Sequence, residues 1–394
     1  MLYLLFEAIR TWLLDTGLYS IFGVLDQVQF RALLAAGLSF AIVIALGRRT
    51  IAFLVGLKIG DGGETDAEML RVHAKSKANV PTMGGVLICG SIFISTFLLA
   101  DMTVRHVLLG LVVLVWLACV GGADDWLKLT ATRRGTGRQG LYAWEKLVFQ
   151  LGIGLLAGYF AFRYSAVEGG AALGHSLNLP FQRTFLPGTQ GINPGLIYLS
   201  MPVFVVIATL LIAGVSNAVN ITDGMDGLAG GISAVVAFAL LVLTLVAGSE
   251  QWSQYLLVPH VPRTDELSVL AGAMAGACLG FLWWNAAPAQ VFMGDTGSLA
   301  LGGLIAYIAI AIRQEVVVLL MCGVFLLEIM SVVIQVGWFK YTRLKTGTGR
   351  RVFRVAPYHH HLHMGGWAEN QVVVRLWILA ILLCVVALAT LKLR

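Results

Sequence analysis

The stretch Leu228–Ala247 reads LAGGISAVVAFALLVLTLVA and carries no charged side chain. An α-helix rises about 1.5 Å per residue and the hydrocarbon core of a bilayer is about 30 Å thick, so this stretch is long enough to cross a membrane. Comparable stretches recur on both sides of it. Before it come Arg31 to Val55, Met83 to Ala100, Val104 to Val120, Leu147 to Phe162 and Ile197 to Gly214. After it come Leu267 to Trp284, Ser298 to Ile312, Val316 to Phe339 and Val372 to Leu391. Hydrophobic residues make up 58% of the 394 residues and charged ones 12%, too few to clothe a soluble protein of this size. The expected architecture is an all-α integral membrane protein with about ten transmembrane helices, forming a single polytopic domain over residues 1–394.

A net charge of +6 would suit a nucleic-acid partner, but its distribution does not. Basic residues gather in three loops, Lys58 to Lys77, Lys128 to Lys146 and Lys340 to Arg354, while Arg183, Arg263 and Arg313 stand nearly alone in the others. This is the positive-inside bias; it places the basic loops in the cytoplasm and both termini outside, with a lipid bilayer and no nucleic acid as partner. The first residues lack the basic region and small-residue cleavage site of a signal peptide. Residues 1–25 read as an interfacial segment, with Met1 to Leu14 an interfacial helix interrupted by Glu7 and Arg10. Cys89, Cys119, Cys278, Cys322 and Cys384 each lie within an apolar stretch without metal-ligand spacing, and read as small packing residues. No convincing internal repeat is present, which weighs against an inverted-repeat transporter. The longest outer loop, Tyr164 to Leu196, reads as irregular from its Pro, Gly and Asn content.

Five polar clusters interrupt the apolar pattern, and all fall on the side of the basic loops: Lys77 to Gly85, Asp124–Asp125, Asn217 to Asp226, Phe292 to Asp295, and His359–His360–His361. Carboxylates, lysines and histidines gathered at a bilayer surface point to chemistry on a substrate that is part lipid and part soluble. Asp124–Asp125 follow Gly121–Gly122 at the end of a span. Lys128 lies one turn on, and adjacent carboxylates repel unless a cation or a basic group sits between them, so the pair is a candidate for binding Mg²⁺ or for supplying a general base; the plainer reading is a solvated helix end. Asn217 to Asp226 reads as a short loop with more polar side chains than one helix cap requires, and polar groups near lipid are costly to leave idle. Asp295 is either the N-cap of the next span or a metal ligand beside helix-start N–H groups that face a phosphate. Phe292 is either packing or an aromatic face for a base. The histidine run, continued by His363, points to phosphate donors or metal ligands. Adjacent residues cannot all face one ion, so one or two are expected to reach a substrate while the rest hold the loop. Lys77 and Lys146 sit at span starts, where snorkelling is the default; the turn Pro81–Gly85 gives Lys77 a more defined aim. Glu328 lies inside a span, too deep to join these clusters.

Taken in order, the motifs are more specific than any one alone. Pro81–Thr82–Met83–Gly84–Gly85, Asp124–Asp125–Trp126–Leu127–Lys128, Asn217 to Ala229, Pro288 to Ser298 and Ala356–Pro357–Tyr358–His359–His360–His361 closely resemble the polyprenyl-phosphate N-acetylhexosamine-1-phosphate transferase superfamily and, within it, the phospho-N-acetylmuramoyl-pentapeptide transferases. The resemblance implies a Mg²⁺-dependent attack of undecaprenyl phosphate on UDP-N-acetylmuramoyl-pentapeptide (UDP-MurNAc-pentapeptide). UMP leaves and lipid I forms for peptidoglycan synthesis, in a cleft of cytoplasmic loops at a bacterial inner membrane. It implies Asp295 as metal ligand, and one of Asp124 and Asp125 as the group that deprotonates or orients the lipid phosphate. Lys146, Asn220, His359 and His360 match further catalytic positions. Lys77, Thr82, Asp223, Gly224, Met225, Asp226, Asn285, Gln335 and Phe292 match substrate-binding positions, with Phe292 stacking on uracil. The chain departs from the family pattern at Leu362–His363–Met364–Gly365–Gly366–Trp367, where an aromatic residue and a glutamate are usual, and at Asn79–Val80, where Gly–Thr is usual. These departures bear on sugar or peptide contacts and leave the reaction class intact.

Phosphoryl transfer asks mainly for charge neutralisation and positioning, which one Mg²⁺ with Lys and His donors supplies. Direct attack is the preferred mechanism; double displacement through a phospho-aspartate is the alternative. The nearest rival is transfer of N-acetylglucosamine-1-phosphate from its UDP derivative. From other classes come a transporter or flippase, which would keep its ionisable residues near the bilayer midplane, and a non-catalytic scaffold. The sequence leaves the oligomeric state open, a homodimer included.

Overall fold

The computed structural model describes residues 1–56, 80–134, 140–167, 173–186 and 191–392. The described residues are overwhelmingly helical and form an all-α integral membrane architecture. The membrane helices are α1 (Val28–Gly56), α2 (Gly85–Leu99), α3 (Arg105–Arg134), α4 (Ala143–Val167), α5 (Met201–Thr222), α6 (Leu228–Gly248), α7 (Leu267–Asn285), α8 (Gly294–Ala311), α9 (Gly323–Thr346) and α10 (Glu369–Lys392). Among the described residues nine helices are long and apolar enough to cross a membrane; α2 is apolar but has 15 residues. At about 1.5 Å per residue α2 falls short of a full hydrocarbon core, so the expected count of ten is nine long helices and one short one.

Helix α8 is the hub, buried along almost its whole length. It packs against α2, α3, α5 and α6, while α1 lies along α7 and α4 along α5. Helices α9 and α10 lie toward the outside, with most of their residues not buried. The approach of α3 to α8 depends on Gly121: a Cβ there would fall 2.2 Å from the Asp295 carbonyl oxygen. Any larger residue would force the two main chains apart, and with them the aspartates that follow.

Several expected boundaries move. α3 does not stop at Asp124–Asp125 but continues to Arg134, because no Gly or Pro intervenes after Gly122 and Lys128 sits one turn on to partner Asp124. α5 runs through to Thr222, so the first six residues of the expected loop Asn217 to Asp226 are helical and only Asp223–Gly227 turns. Asn217 is satisfied there by donating to Gln150 Oε1 at 2.7 Å and to the Ala213 carbonyl at 2.8 Å. The stretch Val316 to Phe339 is interrupted at Cys322, between a short helix Glu315–Met321 and α9. The single helix expected over Met1 to Leu14 is instead two short ones, Leu2–Ala8 and Arg10–Asp15, and a third, Tyr19–Phe22, follows them.

At the end of the bundle away from the Asp295 terminus of α8, two ion pairs are buried. Arg31 of α1 meets Glu266 just before α7, with Nη1 2.8 Å from Oε2, and also donates to the Leu99 carbonyl at 3.1 Å. Arg313 pairs with Glu315 at 2.5 Å and donates through Nε to the Ser176 carbonyl at 3.0 Å. The connection there carries a two-residue antiparallel ladder, β1 (Ser176–Leu177) with β2 (Ile197–Tyr198).

Candidate active site

The start of α8 is held by side chains from neighbouring helices. Asp295 is not its N-cap, a position occupied by Met293; Asp295 lies in the first turn. The capping is done across helices by Asp125, which accepts from Asp295 N–H at 3.1 Å, Thr296 N–H at 2.9 Å and Thr296 Oγ1 at 2.6 Å. Orphan helix-start N–H groups are thereby satisfied by a carboxylate at the positive end of the helix dipole.

Asp124 turns the other way. Its Oδ1 accepts from Leu141 N–H at 2.7 Å. Its Oδ2 lies 2.8 Å from Lys146 Nζ and 2.7 Å from Lys128 Nζ. The same two ammonium groups reach Asp295 Oδ2, Lys146 at 2.5 Å and Lys128 at 3.3 Å. Asp295 Oδ1 accepts from Asn220 Nδ2 at 2.9 Å, and Asn220 also reaches Ser298 Oγ at 2.9 Å. The three aspartates each bring a carboxylate oxygen to within 4.8 Å of the others. They come from α3 and α8, about 170 residues apart in sequence.

This donor set fits a divalent cation. It offers carboxylate oxygens and neither Cys nor His, the choice of a hard ion such as Mg²⁺. The ammonium groups between Asp124 and Asp295 already mark the gap as a place for positive charge. Asp295 and Asp124 would hold the ion through the oxygens that now face the ammonium groups, since the donors on Asp125 are the N–H groups and the Thr296 hydroxyl of the α8 start.

A second wall comes from the turn after α5. Asp223 is half-buried. Its shelter from water, then the charges of Asp295 and Asp125, push its carboxyl up to about 7 against the pull of a hydrogen bond from Gly294 N–H. Gly224 is exposed, and a Cβ there would lie 2.5 Å from His359 Nε2 and 3.5 Å from His360 Nε2, so only glycine lets the histidines come this close. Met225 is buried in the core, and Asp226 accepts from Ala289 N–H at 3.0 Å. Asn285 is buried and ties two segments together, accepting from Gly227 N–H at 3.0 Å and donating to the Val291 carbonyl at 2.8 Å. Thr82 and Phe292 lie on paired segments: Phe292 N–H donates to the Pro81 carbonyl, and Gly84 N–H to the Phe292 carbonyl, both at 2.8 Å. Lys77 lies outside the described residues.

The short helix Tyr358–His363 supplies the remaining wall. His359 is fully buried, whereas His361 Nδ1 accepts from Arg354 N–H at 3.2 Å and His363 Nδ1 lies 2.9 Å from the Trp367 carbonyl. Gln335 does not join the aspartates; its amide is occupied by the main chain of the loop leading to the histidines, with Oε1 accepting from Val352 and Phe353 N–H at 3.0 and 2.9 Å. Glu328, expected to lie too deep to take part, touches the cluster: its Oε2 is 3.0 Å from His359 Nδ1. The expectation fails because the histidine helix dips to meet α9 rather than staying at the surface. Thr296 and Ser298 are further members missed in the sequence, and Lys128, noted there one turn beyond the aspartate pair but not counted in the site, joins Asp124 to Asp295. Lys128 was legible as Asp124 plus four on one helix, once the helix is allowed to continue.

A charged, partly water-accessible pocket at helix ends, with carboxylates bridged by lysines and a nearby histidine helix, can neutralise and position a phosphorylated substrate at a membrane. The model of glycosyl transferase family 4 matches residues 106–313, which include every aspartate named above and the two lysines between them. The chain therefore belongs to glycosyl transferase family 4, a member of the polyprenyl-phosphate sugar-1-phosphate transferase superfamily: a membrane enzyme that transfers a sugar phosphate.

Proposed function

We propose that the protein transfers phospho-N-acetylmuramoyl-pentapeptide from UDP-MurNAc-pentapeptide to undecaprenyl phosphate, releasing UMP and forming lipid I, with its site on the cytoplasmic side of a bacterial inner membrane. The observation that carries this reading is the contact between the histidine helix and the turn at Gly224. The motif that favours the muramoyl substrate over N-acetylglucosamine-1-phosphate thus lies against the same turn as Asp223 and Asp226. An apolar groove of about 980 Å³, lined by Phe93, Phe97, Val112, Trp116, Ala123 and Leu141 among others, opens beside Asp124 and suits a long hydrocarbon chain.

In this reading Asp295 and Asp124 hold Mg²⁺, which supplies charge neutralisation for the diphosphate. Lys146 and Lys128 release part of their hold on the carboxylates to bind phosphate oxygens. Asn220 fixes the Asp295 carboxylate plane from one side. Asp125 keeps the α8 start in place, which leaves Asp124 as the carboxylate that orients the attacking lipid phosphate. Asp223 and Phe292 receive the nucleoside.

The test supplies purified protein with undecaprenyl phosphate, Mg²⁺ and either UDP-MurNAc-pentapeptide or UDP-N-acetylglucosamine, and follows UMP. Release from the muramoyl substrate is expected. Release only from UDP-N-acetylglucosamine would move the protein to the rival activity.

A further inference from the structure

Glu328 is a carboxylate within a membrane helix, with 0% of its side chain exposed. Such a group is expensive to keep and calls for a partner. Its partner is His359, also 0% exposed. A single oxygen, Oε2, lies 3.2 Å from the His359 main-chain N–H and 3.0 Å from Nδ1. An N–H can only donate, so Oε2 is an acceptor, and the second contact is made good when Nδ1 carries a proton. Two contacts to one residue fix both the start of the Tyr358–His363 helix and the rotation of the imidazole ring. The other ring nitrogen, Nε2, is buried and has no hydrogen-bond partner among the described residues. It faces the turn at Gly224, where a Cβ would come within 2.5 Å of it.

We propose that Glu328 is a positioning residue: it holds Nδ1–H and the main chain of His359 so that Nε2 is presented, in one tautomer and one orientation, to the substrate's diphosphate beside the Asp223–Gly227 turn. The proposal rests on the transferase reading for the identity of that ligand, but not for the pairing itself. A side chain held by a buried carboxylate needs no reorganisation when the substrate arrives, which is the condition under which a donor contributes most to phosphoryl transfer.

The test has two arms. In the first, Glu328→Ala, Glu328→Gln, His359→Ala and the double variant Glu328→Ala/His359→Ala are assayed with whichever UDP-sugar is turned over. Glu328→Ala is expected to lower kcat by about 10–100-fold with little change in KM. Glu328→Gln, whose carbonyl accepts the same two N–H groups, should recover most of that loss, and the double variant should be no slower than His359→Ala. Losses that multiply in the double variant would assign Glu328 a role independent of His359 and overturn the proposal. In the second arm, ¹⁵N-histidine NMR of the substrate-free protein reads the tautomer, with the His359 signal identified by its loss in His359→Ala. A protonated Nδ1 in the wild type and in Glu328→Gln, lost in Glu328→Ala, is expected. A neutral ring protonated only on Nε2 would overturn the pairing. Failure of the protein to turn over any UDP-sugar would sink the transferase reading while this second arm still decided the pairing.

Discussion

The two ends of the bundle both bury charge, and they do it with different arithmetic. At the far end each arginine has one carboxylate, Arg31 with Glu266 and Arg313 with Glu315, and the arginine side chains are 2% and 1% exposed. At the site end two lysines, Lys146 and the 45% exposed Lys128, bridge Asp124 and Asp295, while the third carboxylate of the cluster, Asp125, is held by the start of α8. Guanidinium groups in fixed pairs have little to exchange. Ammonium groups on flexible stems, shared between carboxylates of a cluster that outnumbers them, can yield to a divalent cation or a phosphate. The far end clamps helix termini, whereas the site end is left short of positive charge in a way that a metal-bound substrate would correct.

The comparison breaks most sharply if the two ends respond alike to losing one partner. Asp295→Asn is expected to lower UMP release on the order of 10³-fold or more, because it removes a ligand and the hub of the lysine network. Its thermal midpoint should fall only modestly: Lys128 and Lys146 both lose an ion-pair partner, but both keep Asp124 as a partner when the Asp295 carboxylate is gone. Chelation with EDTA should abolish turnover reversibly, with Mg²⁺ restoring it. Arg31→Met is the counterpart. It strands Glu266 in the interior and should cost roughly 3–5 kcal/mol of stability, while the rate per folded molecule stays near wild type. A stable Arg31→Met protein, or an Asp295→Asn protein that turns over normally, would remove the distinction.

Thr296→Val sharpens the comparison within the site end. It deletes a 2.6 Å hydroxyl bond to Asp125, a group cast here as scaffold rather than chemistry. About 1.5–3 kcal/mol of stability should go, as for a hydrogen bond to a charged acceptor, with a smaller loss of kcat than Asp124→Asn. Equal catalytic losses in the two variants would mean that Asp125, not Asp124, faces the lipid phosphate.

Much of this was legible in the chain. Period-free apolar stretches such as Leu228–Ala247 announce a membrane helix with little ambiguity, since no soluble fold needs them. Asp124, Asp295, Asn220 and Asp223 stood out because polar groups beside lipid are conspicuous. What resisted was depth and direction. Asp124 and Asp125 are adjacent, yet one faces the lysines and the other caps α8, a split that only the packing of α3 on α8 decides. Glu328 was read as too deep because a sequence gives its distance along α9, not how far the histidine helix descends to reach it. Lys128 was visible one turn beyond the aspartate pair, but with α3 ended at Val120 it also headed a basic loop, and its place between two carboxylates from different helices could not be read from spacing.

The smallest expected effect concerns Asp223. Its carboxyl titrates near 7 in the folded protein, against an ordinary value of 3.8, because it is sheltered and faces Asp295 and Asp125. A raised carboxyl means that the folded state holds a proton that the unfolded chain has released, so the wild type loses stability as pH climbs from about 4 through about 7. Asp223→Asn is neutral throughout. Its stability advantage over wild type should be near zero below pH 4, grow across that window and level off above it, read as thermal midpoints at several pH values without added metal. Glu266→Gln at the far end should lose stability, because a one-to-one pair has been opened. A difference between Asp223→Asn and wild type that stays constant with pH would mean that the site end is not short of positive charge after all, and that its carboxylates are as fully compensated as those at the other end.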